Sequence, residues 1–165
     1  MTAQQLIEHF SLQQHPEGGW YKQIYEAKGI ISLETLPPKF NNDKSYATSI
    51  LYLLKKGEIS LFHKLKQDEL WHFYYGDTLI LHTISKNGEY LQVRLGTNFL
   101  NGEHPFYAIE AGTILAAELA KNSEFALSGC TVTPGFEFSD MTIMRKSELL
   151  EKFPTLKDLI EKFGA

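Results

Sequence analysis

The side chains best suited to chemistry are concentrated between residues 61 and 77, where His63, Glu69 and His72 lie within one stretch of ten residues. Imidazole nitrogens and carboxylate oxygens together suit a divalent metal ion. The same groups suit general acid–base chemistry on a polar substrate, because a histidine titrates near neutral pH. The residue types therefore leave two kinds of site open, a metal centre and an acid–base pocket.

The alternation of side chains along a β-strand limits which of these residues can converge. In a regular strand Glu69 and Trp71 point to one face, whereas His72 points to the other. Glu69 and His72 therefore share a pocket only if a bulge shifts the register between them. If residues 76–77 (Gly-Asp) form a two-residue hairpin loop, Trp71 pairs with His82 on the next strand. That hairpin would make His82 a third candidate on the face of Glu69.

Residues 15–21 (His-Pro-Glu-Gly-Gly-Trp-Tyr) form a second candidate segment. Two successive glycines permit a sharp bend and a close backbone approach in front of two aromatic residues. The segment is either a binding loop that offers Glu17, Trp20 and Tyr21 to a ligand, or a strand entrance that the glycines hold in place.

Residues 133–141 form a third candidate segment, in which a Pro-Gly turn precedes alternating aromatic and acidic residues. The turn could place Phe136, Phe138 or Asp140 at the mouth of a barrel. The alternative is a hairpin that carries phenylalanines of the hydrophobic core.

Short segments rich in β-branched and aromatic residues dominate the chain, and turn signals separate them. They predict strands at residues 20–25, 45–54, 59–64, 69–75, 78–84, 89–95, 106–109, 113–119 and 125–133. Strands of this length and spacing are typical of a β-sandwich or a β-barrel. At 165 residues, the chain is long enough to bury one core, so we expect a single all-β domain over residues 1–165.

Both ends of the chain are predicted to be helical. Thr2 and Gln5 have the spacing of a capping box, which predicts a short N-terminal helix over the first ten residues. The apolar pattern of residues 147–153 and 155–163 predicts C-terminal helices, with capping residues at Ser147 and Thr155.

The composition limits the partners and the compartment. The net charge is −4 at pH 7 and no basic stripe is present, which argues against nucleic acid as a partner. The N-terminus lacks the basic start and apolar run of a signal peptide, and no window resembles a membrane span. Cys130 is the single cysteine, so no internal disulfide can form. We therefore expect a cytoplasmic protein without a membrane partner.

Six short motifs follow one another in an order that is typical of a known family. The motifs are residues 15–21 (His-Pro-Glu-Gly-Gly-Trp-Tyr), 60–63 (Ser-Leu-Phe-His), 68–72 (Asp-Glu-Leu-Trp-His), 76–77 (Gly-Asp), 95–96 (Leu-Gly) and 134–138 (Pro-Gly-Phe-Glu-Phe). From about residue 5 to residue 154 the chain resembles the uncharacterised cupin family DUF985, or Cupin_5. The resemblance implies a double-stranded β-helix (a cupin jelly-roll barrel) that is commonly a homodimer and has no established activity.

The wider cupin superfamily holds metal ions with two motifs, and this chain is similar to only part of them. Glu69 stands seven residues before Gly76, as in the first motif, but His63 is a single histidine where the superfamily has a pair. Leu115 stands where the second motif has its histidine. The resemblance therefore implies that the usual three-nitrogen metal site is missing, and we expect no cofactor.

Four hypotheses on function follow, and they differ on whether the protein is an enzyme. Binding of a small polar, carbohydrate-like ligand in the barrel ranks first, because aromatic side chains with a few polar groups are typical of such sites. The second hypothesis is a metal-independent enzyme similar to the cupin-fold sugar-nucleotide epimerases or isomerases. The third is a metal-binding cupin that uses His63, Glu69 and His72 (or His82). The fourth is a purely structural barrel.

The enzyme hypothesis assigns roles to particular residues. His63 would remove a proton next to a carbonyl group, and Asp140 or Glu69 would orient it. Tyr74 or Tyr21 would return a proton from the other side. The expected ligand contacts are Glu17, Trp20, Tyr21, Trp71, His72, Phe136 and Phe138.

Overall fold

Thirteen β-strands and three short α-helices make up the chain, and the computed structural model describes residues 1–165. The helices are α1 (Ala3–Phe10), α2 (Lys146–Lys152) and α3 (Lys157–Phe163). The strands are β1 (Gln13–Gln14), β2 (Trp20–Glu26), β3 (Ile30–Ile31), β4 (Lys44–Ser45), β5 (Thr48–Lys55), β6 (Ile59–Leu65), β7 (Asp68–Gly76), β8 (Leu79–Ile84), β9 (Tyr90–Leu95), β10 (Phe106–Ile109), β11 (Ile114–Leu119), β12 (Phe125–Thr133) and β13 (Met141–Ile143).

Two antiparallel sheets enclose the main hydrophobic core. One sheet has six strands in the order β1-β2-β5-β12-β7-β10, and the other has five in the order β13-β6-β11-β8-β9. Inward side chains of both sheets pack together in this core, among them Tyr52, Trp71, Leu81 and Leu115. The predicted all-β jelly-roll class is confirmed, as two separate sheets rather than one closed ring of strands.

The helices cover the outer faces of the two sheets. Helix α1 packs Leu6 and Ile7 against the six-stranded sheet, and its predicted capping box at Thr2 and Gln5 is confirmed. Helices α2 and α3 pack against the five-stranded sheet, where Phe163 lies over Phe62 with the ring centroids 5.6 Å apart. No helix is long and apolar enough to cross a membrane.

The predicted caps of the C-terminal helices are wrong. Helix α2 follows Arg145 without a side-chain cap, because the Lys146 N–H donates instead to the backbone carbonyl of Ala165, 2.9 Å away. Pro154 begins a 3-10 turn that includes Thr155, so α3 starts two residues later than predicted.

The hairpin that the sequence allowed at residues 76–77 does not form. Strand β7 pairs with β10 and β12, whereas β8 pairs with β9 and β11 in the other sheet. The Asp77 carboxylate accepts a hydrogen bond of 2.7 Å from the backbone of Glu124, and this contact ties the turn to β12. Trp71 therefore pairs with Cys130, and His82 pairs with Ala116 far from Glu69.

Candidate functional site

A cavity of about 280 Å³ lies between the two sheets. Six of the sequence-predicted site residues line it: Glu17, Tyr21, His63, Glu69, Phe136 and Phe138. The other polar lining includes His15 and Tyr52, and neither lysine nor arginine contributes to the lining. The cavity therefore combines acids, imidazoles and aromatic rings without a permanent positive charge.

Glu17 reaches the cavity because the turn before β2 is tightly attached to β6. A Cβ atom on Gly18 would lie 2.1 Å from the carbonyl oxygen of Ile59, so only glycine fits there, and its φ of +109° also favours glycine. The Leu61 N–H donates to the Glu17 carbonyl at 2.8 Å, and the Ser60 hydroxyl donates to its carboxyl at 2.9 Å. The glycines of the motif thus allow the bend in the chain and, through it, place the carboxyl group of Glu17 in the cavity.

Glu17 and His63 form a proton-sharing pair on the wall of the cavity. Nε2 of His63 lies 3.2 Å from Oε2 of Glu17, and Nδ1 lies 2.8 Å from the carbonyl oxygen of Leu61. Because a carbonyl only accepts, Nδ1 carries a proton, and Nε2 of the neutral ring is the acceptor. Burial raises the pKa of Glu17 to about 8, against the hydrogen bond from Ser60, and burial lowers the pKa of His63. At neutral pH the shared proton therefore belongs to Glu17.

Glu69 approaches the same histidine from the opposite sheet. Its side chain is buried, with 8% of the residue exposed. The indole N–H of Trp71 and the thiol of Cys130 face its carboxyl group and lower its pKa against the larger effect of burial, but neither makes a well-formed hydrogen bond with it. Burial raises the pKa of Glu69 to about 7, and the charge of His63 opposes this rise. Nε1 of the neighbouring Trp71 also lacks a hydrogen-bond partner. The carboxyl group of Glu69 is thus a buried polar group open to a ligand in the cavity.

Aromatic rings form the outer wall of the cavity. Phe138 packs against His15 with 5.7 Å between ring centroids and against Tyr21 with 6.3 Å. It also contacts Phe136 edge to face at 5.3 Å. Phe138 remains 48% exposed, which places it between the cavity and solvent. Burial lowers the pKa of His15 to about 4, with a further contribution from His63, so this ring is neutral at pH 7.

His72, Tyr74 and His82 lie outside the cavity. The period-two alternation of β7 points His72 and Tyr74 away from Glu69, and the two rings stack at 6.4 Å on the outer face. A register shift does occur in β7, but it falls opposite residues 127–128 of β12, beyond His72. His82 instead bonds to Tyr90 at 2.8 Å and to Glu118 at 3.1 Å.

Trp20, Trp71 and Asp140 also lie outside the cavity lining. Nε1 of Trp20 donates to Glu58 at 3.0 Å on the surface side of the turn. Trp71 is part of the hydrophobic core, where its ring packs edge to face against Tyr52 at 5.5 Å. Asp140 forms an ion pair with Lys44 at 2.7 Å.

The residues that the sequence suggested as metal ligands, His63, Glu69 and His72 (or His82), do not converge in the structure. His72 lies on the opposite face of β7 from Glu69, and Leu115 lies directly across from His63 on β11. No group of three or more His, Cys, Asp or Glu side chains has the arrangement of a metal site. The residues present do not fit the metal centre that other cupins have.

The sequence patterns did not single out ten of the sixteen residues that line the cavity, among them His15 and Tyr52, nor the pairing of Glu17 with His63. His15 was quoted only as part of its motif, and Tyr52 was not singled out, although it shares the inward face of β5 with Thr48 and Ile50. Glu17 was predicted as a ligand contact without its histidine partner. Alternation along β5 was the available signal for Tyr52, whereas no local signal links Glu17 to His63.

Two facing antiparallel sheets with a polar cavity between them define the fold of a cupin. The chain belongs to the family described as Cupin superfamily (DUF985), whose model matches residues 4–144. A relative described as an uncharacterized protein of Saccharomyces cerevisiae is 26% identical over 159 residues, which is 91% of this chain and 79% of the relative.

Solved structures agree with this assignment. A protein of Shewanella oneidensis superposes with a TM-score of 0.88 at 32% identity, covering 100% of this chain and 98% of its own. A hypothetical protein of Leishmania major superposes with a TM-score of 0.91 at 27% identity, covering 99% of both chains. Oxalate decarboxylase of Bacillus subtilis has a TM-score of 0.54 at 16% identity over 91% of this chain and 36% of its own, which shows a shared fold alone.

Proposed function

We propose that the cavity binds a small hydroxylated, carbohydrate-like ligand. The observation that carries the proposal is the buried carboxyl group of Glu69, which lines the cavity and makes no well-formed side-chain hydrogen bond within the protein. A ligand hydroxyl would satisfy this group, and the Glu17–His63 pair offers further polar atoms beside it. The rings of Tyr21 and Phe138 suit the apolar face of a sugar ring.

The size and charge of the cavity narrow the ligand class. Its volume of about 280 Å³ lies below the ~300–1,000 Å³ that is common for drug-sized ligands, so it suits a molecule of monosaccharide size. Because no lysine or arginine lines the cavity, a phosphate or diphosphate group would lack a counter-charge there. These features support a free sugar or polyol rather than the nucleotide part of a sugar nucleotide.

A thermal-shift screen with monosaccharides and polyols tests the proposal, with the variant His63→Asn measured in parallel. We expect at least one compound to raise Tm in the native protein. Loss of a buried hydrogen-bonding partner typically costs ~1.5–3 kcal/mol when a charged or proton-sharing group is involved, so affinity should fall at least about tenfold in the variant.

His104→Asn is the matched control, since His104 is an exposed histidine outside the cavity. Its ligand-induced shift should equal that of the native protein. If no sugar or polyol stabilises the native protein, or if His63→Asn keeps the full shift, ligand binding in this cavity is refuted.

A second candidate function is metal-independent isomerase-like or epimerase-like catalysis. Two observations favour it. Nε2 of His63 lies 3.2 Å from Oε2 of Glu17, so the two groups can share a proton. The pKa of Glu69, about 7, suits a base that acts near neutral pH. Proton exchange at carbon is the diagnostic step. Incubation of aldoses with the protein in D₂O should place deuterium next to the carbonyl group, and Glu69→Gln should abolish the exchange. Absence of deuterium from every compound that binds would leave binding alone.

A further inference from the structure

The four buried carboxyl side chains of the protein differ in their counter-charges. Asp140 pairs with Lys44 at 2.7 Å, and Glu103 pairs with Arg94 at 3.1 Å. Glu17 shares a proton with His63. Glu69 forms no ion pair and no well-formed side-chain hydrogen bond; its polar neighbours are His63, Trp71 and Cys130, and it faces the cavity.

We propose that the ligand of this cavity carries an ammonium group, which pairs with the carboxylate of Glu69. This inference rests on the proposed function and adds the charge of the ligand to it. A buried carboxylate is stable only when it is paired and hydrogen-bonded. A protonated amine supplies both at once, because its N–H groups donate and its charge compensates the acid.

The aromatic lining favours the same ligand chemistry. Tyr21, Tyr52, Phe136 and Phe138 all contribute to the cavity, and the faces of such rings attract cations. An anion would face these rings and two acids without a single basic side chain. A small amine with hydroxyl groups, such as an amino sugar or an amino alcohol, therefore fits the lining better than a neutral sugar does.

An ammonium ligand would remove the proton of Glu69, and the other titratable groups around it would keep their protonation states. Because burial raises the pKa of Glu69 to about 7, an arriving ammonium group would displace its proton. His63 and His15 are held neutral by burial, so they do not compete as cations. Burial raises the pKa of Tyr52 and of Cys130 further above neutrality, so these groups keep their protons. Glu17, on the other side, keeps its proton through its own raised pKa of about 8.

A matched pair of ring compounds tests the charge directly. Isothermal titration at pH 6.5 compares trans-4-aminocyclohexanol, which remains protonated, with trans-cyclohexane-1,4-diol, which has nearly the same shape and no charge. D-glucosamine and D-glucose form a second pair. We expect the amine of at least one pair to bind at least ten times more tightly than its neutral partner. Titration in two buffers of different ionisation enthalpy should show release of most of one proton.

Two variants locate the effect. Glu69→Gln keeps the shape of the side chain and removes its charge, so it should abolish the tenfold preference and the proton release. Glu34→Gln is the control, because Glu34 is exposed and lies outside the cavity. It should behave as the native protein does.

The outcomes separate this inference from the proposed function. Equal affinity within both pairs, or neutral sugars as the sole ligands, would overturn the ammonium assignment and leave sugar binding intact. An amine preference that survives in Glu69→Gln would overturn the role of Glu69. If neither the pairs nor the thermal-shift panel gives a ligand, both proposals fail.

Discussion

Asp140 and Glu69 are both buried acids, yet their surroundings differ in one respect. Asp140 accepts hydrogen bonds from Lys44 at 2.7 Å and from Gln67 at 2.8 Å, whereas Glu69 has no charged donor and no well-formed side-chain hydrogen bond. Burial alone would raise the pKa of Asp140, but the two donors and the charge of Lys44 outweigh it and hold the pKa below its ordinary value. Burial raises the pKa of Glu69 to about 7, because its neighbours His63, Trp71 and Cys130 do not outweigh the cost of burial.

The difference indicates which acid holds the structure together and which is available to a ligand. The Asp140 network also fixes the turn that carries the aromatic wall, since Gln67 donates to the Gly135 carbonyl at 3.3 Å and the Lys66 N–H donates to the Asp140 carbonyl at 3.2 Å. Oδ2 of Asp140 accepts the hydrogen bonds from Lys44 and Gln67, and Lys66 lies 3.4 Å from its Oδ1, so the carboxylate is compensated within the protein. The hydrogen-bonding capacity of Glu69 is left for the cavity.

The largest expected effect comes from removing the counter-charge of Asp140. In Lys44→Met the buried Asp140 carboxylate loses its 2.7 Å ion pair and keeps only the partly exposed Lys66 at 3.4 Å; breaking a buried pair typically costs ~3–5 kcal/mol. Urea denaturation at pH 7 should show this loss in the free energy of unfolding. Lys56→Met is the control, because the exposed Lys56–Glu124 pair should contribute no more than about 1 kcal/mol.

Adding Asp140→Asn to Lys44→Met should recover part of the lost stability, because no unpaired charge is then buried. If Lys44→Met costs no more than Lys56→Met, the contrast between the two acids is wrong.

A smaller effect is expected at Glu69, where removing the acid should reduce the loss of stability at high pH instead of lowering stability. Its folded pKa of about 7 exceeds the usual 4.5, so the unfolded chain loses its proton first and this group's contribution to stability falls as the pH rises from about 4.5 to 7. Glu69→Gln removes that fall, which corresponds to about 3 kcal/mol. Urea denaturation of both proteins at pH 5 and pH 8 should show a smaller loss in the variant.

The buried histidines His15 and His63 also make stability depend on pH, below about pH 6.5. Their contribution is the same in the native protein and in Glu69→Gln, so it cancels when the two are compared. An equal fall in stability for the two proteins would mean that Glu69 is ionised in the folded state at pH 5. Its availability to a ligand cation would then need another explanation.

The smallest expected effect on stability lies at the aromatic wall between the two acids. Phe138 is 48% exposed, so Phe138→Ala should cost only about 1 kcal/mol. Affinity for any sugar or amine found in the screens should nevertheless fall several-fold, because the ring contact is lost. Phe99→Ala, which removes a more exposed ring away from the cavity, should change neither quantity appreciably.

Local patterns were enough to predict most strands and one important orientation. Alternation along β7 correctly separated Glu69 from His72, and the order of the motifs indicated the family. The Gly-Asp turn at residues 76–77 was misread because a turn signal does not say which sheet the next strand joins. That choice depends on the pairing of β7 with β12, which are distant in the chain.

Side-chain partners from distant segments were beyond prediction from one sequence. Asp140 was expected in the pocket, but Lys44, 96 residues earlier in the chain, binds it elsewhere. Glu17 meets His63 only because the turn before β2 is held against β6. Both contacts depend on how the two sheets pack, and neither has a signature in sequence spacing.

The position of Leu115 on β11 has an evolutionary consequence. Leu115 lies directly opposite His63, and both residues line a space of about 10 Å³ together with Glu69. A single change from leucine to histidine thus separates this pocket from one with two histidines and a glutamate. Leu115→His would place a second imidazole beside His63 at the expense of one member of the hydrophobic core.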